Sequence, residues 1–149
     1  AIEAARLCRD GEVFAIEMDS DDYQLLRSNA DRFQIANIHP ILGEAPQAWD
    51  ALPRPDAIFI GGTGRTVSEI TFQAFNSLTD NGRMVVHVAG MSRANEIFYN
   101  FHKNGYQPEI MMLNFARGQL QFDSLRFDAV NPSFLLSCVK TKVNGKTES

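Results

Sequence analysis

Apolar positions recur along this chain with two periods, and the two alternate. Ala1, Ile2, Ala4, Ala5 and Leu7 favour a helix over 1–9, which Asp10-Gly11 ends. Val13 to Glu17 is a β-rich run that closes on an acid. Ser20-Asp21-Asp22 gives a capped, acidic helix start, and Tyr23, Leu26, Ala30 and Phe33 follow at helical spacing. Ile38 to Leu42 is a second strand, closed by Gly43-Glu44-Ala45, and 46–52 reads as a short helix around Trp49. After Pro53-Arg54-Pro55-Asp56 comes a short strand, Ala57 to Ile60. Val67, Ile70, Ala74, Phe75 and Leu78 make the clearest helical stripe in the chain. Asn81-Gly82 turns into a strand at Arg83 to Val88, and Ser92 is read as the cap of a helix with Ile97, Phe98 and Phe101 inward and Gly105 at its end. Strands are expected at 109–115 and 133–139, with a loop over 116–126 between them. Alternating strands and helices imply a parallel sheet covered on both faces, and two closing strands imply an antiparallel pair at one edge.

The order apolar run, glycine turn, helix is sharpest at Ile58-Phe59-Ile60-Gly61-Gly62-Thr63-Gly64-Arg65. In an open α/β sheet that order places a ligand crevice at the carboxyl ends of the strands. Three glycines within four positions exceed what a tight turn requires. Gly62-Thr63-Gly64 matches the start of a dinucleotide fingerprint, but its third small position falls on the bulky Val67. The acid expected about 20 residues on is missing, because Asp80 lies in a turn. A P-loop lacks its Gly-Lys-Ser/Thr. The stretch is therefore read as a ligand-facing turn that is not a phosphate cradle. Glu17, ending its strand on the crevice side, is of the kind that accepts both hydroxyls of a ribose. With Gly43-Glu44-Ala45 after the next strand, ribose binding outweighs a solvated strand-end acid.

Composition narrows the picture. The chain has 149 residues, the length of one domain, and a net charge of −4 with no long basic run. Duplex nucleic acid and anionic membranes are disfavoured as partners. No stretch approaches membrane-span length. Cys8 and Cys138 form no metal motif, and a cytoplasmic protein with reduced thiols is expected. His39, His87 and His102 have no metal-ligand spacing, so no metal site is expected. No catalytic set of Ser/His/Asp or Cys/His type stands out, and no catalytic residue is assigned. Phe115, Phe122 and Phe127 are read as core or lid packing rather than as base-stacking platforms. Arg117, beside Gly118 in the late loop, is either a solvated arginine or an anion clamp.

Glu3-Ala4-Ala5-Arg6-Leu7, Ala15-Ile16-Glu17 with Asp19, Gly43-Glu44-Ala45-Pro46, Ile60-Gly61-Gly62-Thr63-Gly64 and Asn131-Pro132 occur in this order. Over nearly the whole chain this resembles the methyltransferase–decarboxylases of cobalamin (corrin) biosynthesis, of the precorrin-8W decarboxylase type or the carboxyl-terminal half of precorrin-6Y C5,15-methyltransferase. The resemblance implies a Rossmann-like class I methyltransferase fold with strand order 3-2-1-4-5-7-6 and S-adenosylmethionine as cofactor. It implies methylation of a precorrin at carbon 15 with decarboxylation of an acetate side chain, by a homo-oligomer without nucleic-acid or membrane partners. On this reading Glu17 and Met18 with Gly43, Glu44, Ala45 and Gly61 border the cofactor. Gly62, Thr63, Gly64, Arg65 and Arg117 border the tetrapyrrole. Arg65, Arg93, Arg117 and Arg126 are candidates to meet its carboxylates.

In the resembled family strand 1 and a glycine-rich loop come before the helix that opens this chain. Residues 1–141 are accordingly read as a methyltransferase domain cut upstream, and 142–149 as a polar tail. Methyl transfer to a ring carbon needs placement and a water-poor cleft more than a base or nucleophile. Other readings are a class I methyltransferase acting on another small molecule or on tRNA, and a non-catalytic nucleotide-binding module.

Overall fold

The computed structural model describes residues 1–61 and 67–141. They fall into two compact units, Ala1–Pro53 and Arg54–Ser149, each with its own sheet.

The first unit runs α1 (Ile2–Leu7), β1 (Val13–Glu17), α2 (Ser20–Arg32), β2 (Ile38–Leu42) and a 3-10 turn at Gln47–Trp49. β1 and β2 pair in parallel, from Val13 opposite Ile38 to Glu17 opposite Leu42. Ala5, Ala30 and Ile38 are buried at the centre of this unit, with Ile2, Val13, Ala15, Leu26 and Ile35 packed around them. The Asn37 amide lies 3.0, 2.6 and 3.0 Å from the carbonyls of Ala5, Cys8 and Gly11, tying the end of α1 to the entry of β1. Three local expectations change. The cap of α2 is Asp19, whose Oδ1 accepts from the N–H groups of Asp21 and Asp22 at 2.8 and 3.1 Å. Phe33, expected on the helical stripe, is the carboxyl-terminal cap and is exposed. The helix expected over 46–52 shrinks to the single 3-10 turn.

The second unit runs β3 (Ala57–Ile60), α3 (Val67–Ser77), β4 (Arg83–Val88), α4 (Met91–Lys103), β5 (Glu109–Gln121) and β6 (Ser124–Val139). Its strand order is β3-β4-β6-β5, with β3 and β4 parallel and both other pairings antiparallel. Set aside strand 1 of the order 3-2-1-4-5-7-6, and what is left is 3-2 and 4-5-7-6. Those are the two orders observed.

Alternation decides which strand faces are covered. Met84, Val86 and Val88 of β4 and Phe134, Leu136 and Cys138 of β6 are buried. Phe75, Leu78, Ile97 and Phe101 supply the helical side of this core. Each such burial contributes roughly 1.5–3 kcal/mol. The last carbonyls of α3 are held by cations, as its dipole favours: Leu78 O accepts from Arg54 Nη2 at 2.6 Å and from Lys140 Nζ at 2.8 Å. Gly82 has no room for a side chain, since a Cβ there would lie 2.9 Å from Thr79 O and 3.1 Å from Asp56 O. α4 ends with Gly105 at φ 81°, its N–H donating to His102 O, while the Tyr106 N–H reaches Phe101 O. Its amino-terminal cap is Gly90, not Ser92, and no side chain caps it.

The largest departure concerns 116–126. This segment is no loop. β5 and β6 form one long hairpin joined by Phe122-Asp123, both at positive φ (48° and 60°), the backbone of a two-residue hairpin turn. Arg117 and Gly118 are strand residues, opposite Asp128 and Phe127. The register slips between Leu113 and Phe115, at the level of Asn131-Pro132. A proline has no N–H for the ladder, which makes a bulge its natural place. Phe115, Phe122 and Phe127 are 61, 94 and 67% exposed, so the core reading of these rings is overturned.

Burial pushes the Cys138 thiol up to about 11, from an ordinary 9.0. The fold thus favours the protonated thiol. The stability this group contributes is complete below the unfolded-state value and is lost as pH rises from there through about 11. Iodoacetamide at mildly alkaline pH is expected to label the half-buried Cys8 and to leave Cys138 untouched until the protein is unfolded. Equal labelling of both in the folded protein contradicts this.

Candidate functional site at the strand ends

Parallel pairing fixes which residues meet at the carboxyl end of the first sheet. Glu17 is the last residue of β1 and stands opposite Leu42, the last of β2. Met18 continues from one strand, and Gly43, Glu44 and Ala45 continue from the other. The Gly43 N–H donates to Glu17 O at 3.0 Å, holding the two exits together. Five of the sequence-predicted residues therefore share one rim.

The Glu17 side chain is oriented from its own chain. The Asp19 N–H donates to Glu17 Oε1 at 3.0 Å. Oε2 takes no hydrogen bond among the described residues, so an oriented, half-exposed carboxylate keeps one oxygen open. Asp19 does two things here: its side chain caps α2 and its backbone positions Glu17. The sequence signal for this is Glu17-x-Asp19 at the strand–helix junction, just before the Ser20-Asp21-Asp22 expected to open the helix. Gly43 admits no side chain, for a Cβ would come 2.9 Å from the Ala48 Cβ. The loop after β2 is thereby drawn against the 3-10 turn. Met18 is 71% exposed and offers an apolar flank beside the carboxylate.

In the second unit, Gly61 follows the last residue of β3 and is exposed. A Cβ on it would meet the Phe59 ring at 3.2 Å. Gly62, Thr63, Gly64 and Arg65 lie outside the described residues. α3 begins after them, and the Ser68 hydroxyl in its first turn is buried with no hydrogen-bond partner among the described residues. Arg93 stands in the first turn of α4, just past the carboxyl end of β4, with Glu96 Oε2 at 3.8 Å. Arg117 and Arg126 stand on the hairpin. Val88 is level with Phe134, and Phe134 with Met112, so the hairpin continues past the carboxyl ends of β3 and β4. Arg117 is five strand residues beyond that level, roughly 17 Å at ~3.4 Å per residue. Arg126 Nη1 donates to Gln121 Oε1 at 2.7 Å.

An oriented acid beside a glycine-bordered strand exit is how α/β folds receive a nucleoside. Known proteins agree in kind. Residues 1–127 match the family model described as precorrin methyltransferase domain. A probable cobalt-precorrin-6B C(15)-methyltransferase (decarboxylating) of Sulfurisphaera tokodaii is 32% identical over 127 residues, 85% of this chain and 66% of the relative. The chain thus spans about two-thirds of that relative's length. The crystal structure of precorrin-6y C5,15-methyltransferase from Geobacter metallireducens superposes with a TM-score of 0.81 at 27% identity, over 93% of this chain and 74% of that one. An S-adenosylmethionine-dependent O-methyltransferase from Thermotoga maritima, 17% identical, superposes at a TM-score of 0.71 over 92% of this chain and 53% of its own, a likeness of fold alone. The fold is thus the Rossmann-like class I methyltransferase fold, with its last two strands antiparallel. With a family model covering most of its length and a matching fold, the chain belongs to the precorrin methyltransferase domain family.

Proposed function

We propose that the whole protein is an S-adenosylmethionine-dependent precorrin methyltransferase of cobalamin biosynthesis. It methylates carbon 15 and removes the carboxylate of an acetate side chain, acting in the cytoplasm as a homo-oligomer. The observation that carries this reading is the family match over residues 1–127, joined by relatives named for that reaction.

The residues present fit the adenosine half of the cofactor. Glu17 offers an open, oriented carboxylate oxygen for the ribose hydroxyls, and charge-assisted bonds of this kind contribute about 1.5–3 kcal/mol each when shielded. The tight exit through Gly43, Glu44 and Ala45 borders the adenine, with Met18 as an apolar flank. Gly61 stands at the exit of β3, and Gly62, Thr63, Gly64 and Arg65 complete the assignment on the substrate side. When bound, the cofactor supplies an electrophilic methyl carbon on a sulfonium. This chain's part is placement and exclusion of water.

Precorrins carry several carboxylates. Arg93, whose exposed partner Glu96 sits 3.8 Å away one helical turn on, is placed to turn toward another anion. Arg117 presents a guanidinium beyond the strand ends. Arg117→Ala is expected to weaken precorrin binding at least fivefold, while S-adenosylhomocysteine affinity stays within a factor of about two. Fluorescence titrations with each ligand check this, and the reverse pattern contradicts the assignment.

The reaction itself is tested by incubating the whole protein with methyl-labelled S-adenosylmethionine and either a precorrin or tRNA. Label entering the tetrapyrrole, with release of carbon dioxide, is the expected result. Label entering tRNA alone overturns the proposal.

A further inference from the structure

Among the described residues, one buried side-chain polar atom has no hydrogen-bond partner, the hydroxyl of Ser68. Ser68 is 8% exposed and stands second in α3. The other hydroxyls of that helix are paired. Thr71, 0% exposed, donates to Val67 O, and Ser77 donates to Ala74 O at 2.7 Å. Both reach back about one turn to a helical carbonyl. Ser68 is too close to the start of α3 to do so, because no carbonyl of the helix lies a turn behind it. A hydroxyl buried without a partner gives up its water and gains nothing in exchange. An alanine would fill the same place without that loss.

The surroundings are those of an anion site. α3 ends beside the entry to β3, where the Thr79 N–H donates to Pro55 O at 3.0 Å. With 11 residues running back along the sheet, it begins at the exit of β3. That is the end at which α/β folds take their ligands. The N–H groups of a first helical turn have no acceptors within the helix, and the dipole places partial positive charge there. Cα–Cβ bonds in a helix lean toward its amino terminus, so the Ser68 hydroxyl is carried toward those donors. Glu69, the acid of the same turn, is exposed and does not pair with that hydroxyl.

We infer that Ser68 and the first turn of α3 bind a carboxylate group of a ligand. A hydroxyl donor beside a helix amino terminus suits a single delocalised negative charge. A phosphate is disfavoured, since the glycine stretch ahead of α3 has no Gly-Lys-Ser/Thr. The inference rests on the reaction proposed above for its two sources of carboxylate. One is a side chain of the precorrin, and the other is the amino-acid end of S-adenosylmethionine. Ser68 follows closely on the stretch assigned above to the substrate, which favours the precorrin.

Titration calorimetry on the whole protein tests it with the precorrin, S-adenosylhomocysteine and 5′-methylthioadenosine. The last keeps the adenosine and thioether without the carboxylate. Ser68→Ala is expected to weaken precorrin binding about tenfold or more and to leave 5′-methylthioadenosine within a factor of about two. A loss of that size for S-adenosylhomocysteine instead also supports the inference, and makes the cofactor the source. Thr71→Val deletes a paired hydroxyl of the same helix and is expected to leave all three affinities within about twofold. Ligand-free Ser68→Ala should match or exceed the urea midpoint of the unsubstituted protein, because the hydroxyl it removes is unpaired. Three results overturn the inference: all affinities of Ser68→Ala within about twofold, a loss shared by 5′-methylthioadenosine or by Thr71→Val, or a lowered midpoint, which would give the hydroxyl a partner inside the fold. If the unsubstituted protein binds no precorrin, the reaction proposed above fails. The two adenosine ligands then decide this inference alone, a selective loss of S-adenosylhomocysteine supporting it and no such loss overturning it.

Discussion

Phe101→Ala is expected to destabilise the second unit by about 3–5 kcal/mol, the range for emptying a phenylalanine site in a packed core. Phe101 is 1% exposed. Its ring stacks on Phe72 at 5.0 Å, meets Phe75 edge-on at 4.7 Å and lies 6.1 Å from the Tyr106 ring. Phe75 in turn meets Tyr106 at 4.7 Å. The cluster joins α3, α4 and the exit from α4, so removing its central ring leaves three neighbours facing a void. Such a loss is a large fraction of the ~5–15 kcal/mol that holds a typical domain together. Urea denaturation followed by circular dichroism checks it, with the midpoint falling at unchanged slope. A loss below about 1 kcal/mol would mean that the neighbours collapse into the space.

The second large effect falls on ligand binding and leaves the fold alone. Glu17→Gln keeps the shape of the side chain and removes its charge. S-adenosylhomocysteine affinity is expected to drop at least tenfold, about 1.4 kcal/mol. The reason is local. One carboxylate oxygen is engaged by the Asp19 N–H, and the function proposed above gives the ribose hydroxyls to the other. The urea midpoint should hardly move, because Glu17 sits at a strand end outside the Ala5, Ala30 and Ile38 core. Titration calorimetry with an unchanged dissociation constant would place the ribose elsewhere.

Much of this was legible from residues alone. The periods of Val67–Ser77 and Arg83–Val88 announced their elements because each buries one face, and burial imposes the period. The rim of Glu17, Gly43, Glu44 and Ala45 was legible because an acid and a glycine ended successive strands. What escaped was the hairpin. Its alternation runs through Ala116, Gly118 and Leu120, but Arg117-Gly118 looks like loop chemistry. Its turn, Phe122-Asp123, lacks the Asn-Gly or Asp-Gly that usually marks one. The apolar residues there also bury nothing within the chain, so the rule that apolar means core misread Phe122 and Phe127. The cap of α2 was misplaced by one residue, because Asp19, Ser20, Asp21 and Asp22 are all competent caps and only geometry chooses among them.

Co-crystallisation of the whole protein with S-adenosylhomocysteine tests the central claim most directly. The account predicts the ribose hydroxyls on the Glu17 carboxylate and the adenine against Gly43, Glu44 and Ala45. A ligand seated away from Glu17, or no ligand at saturating concentration, would contradict it.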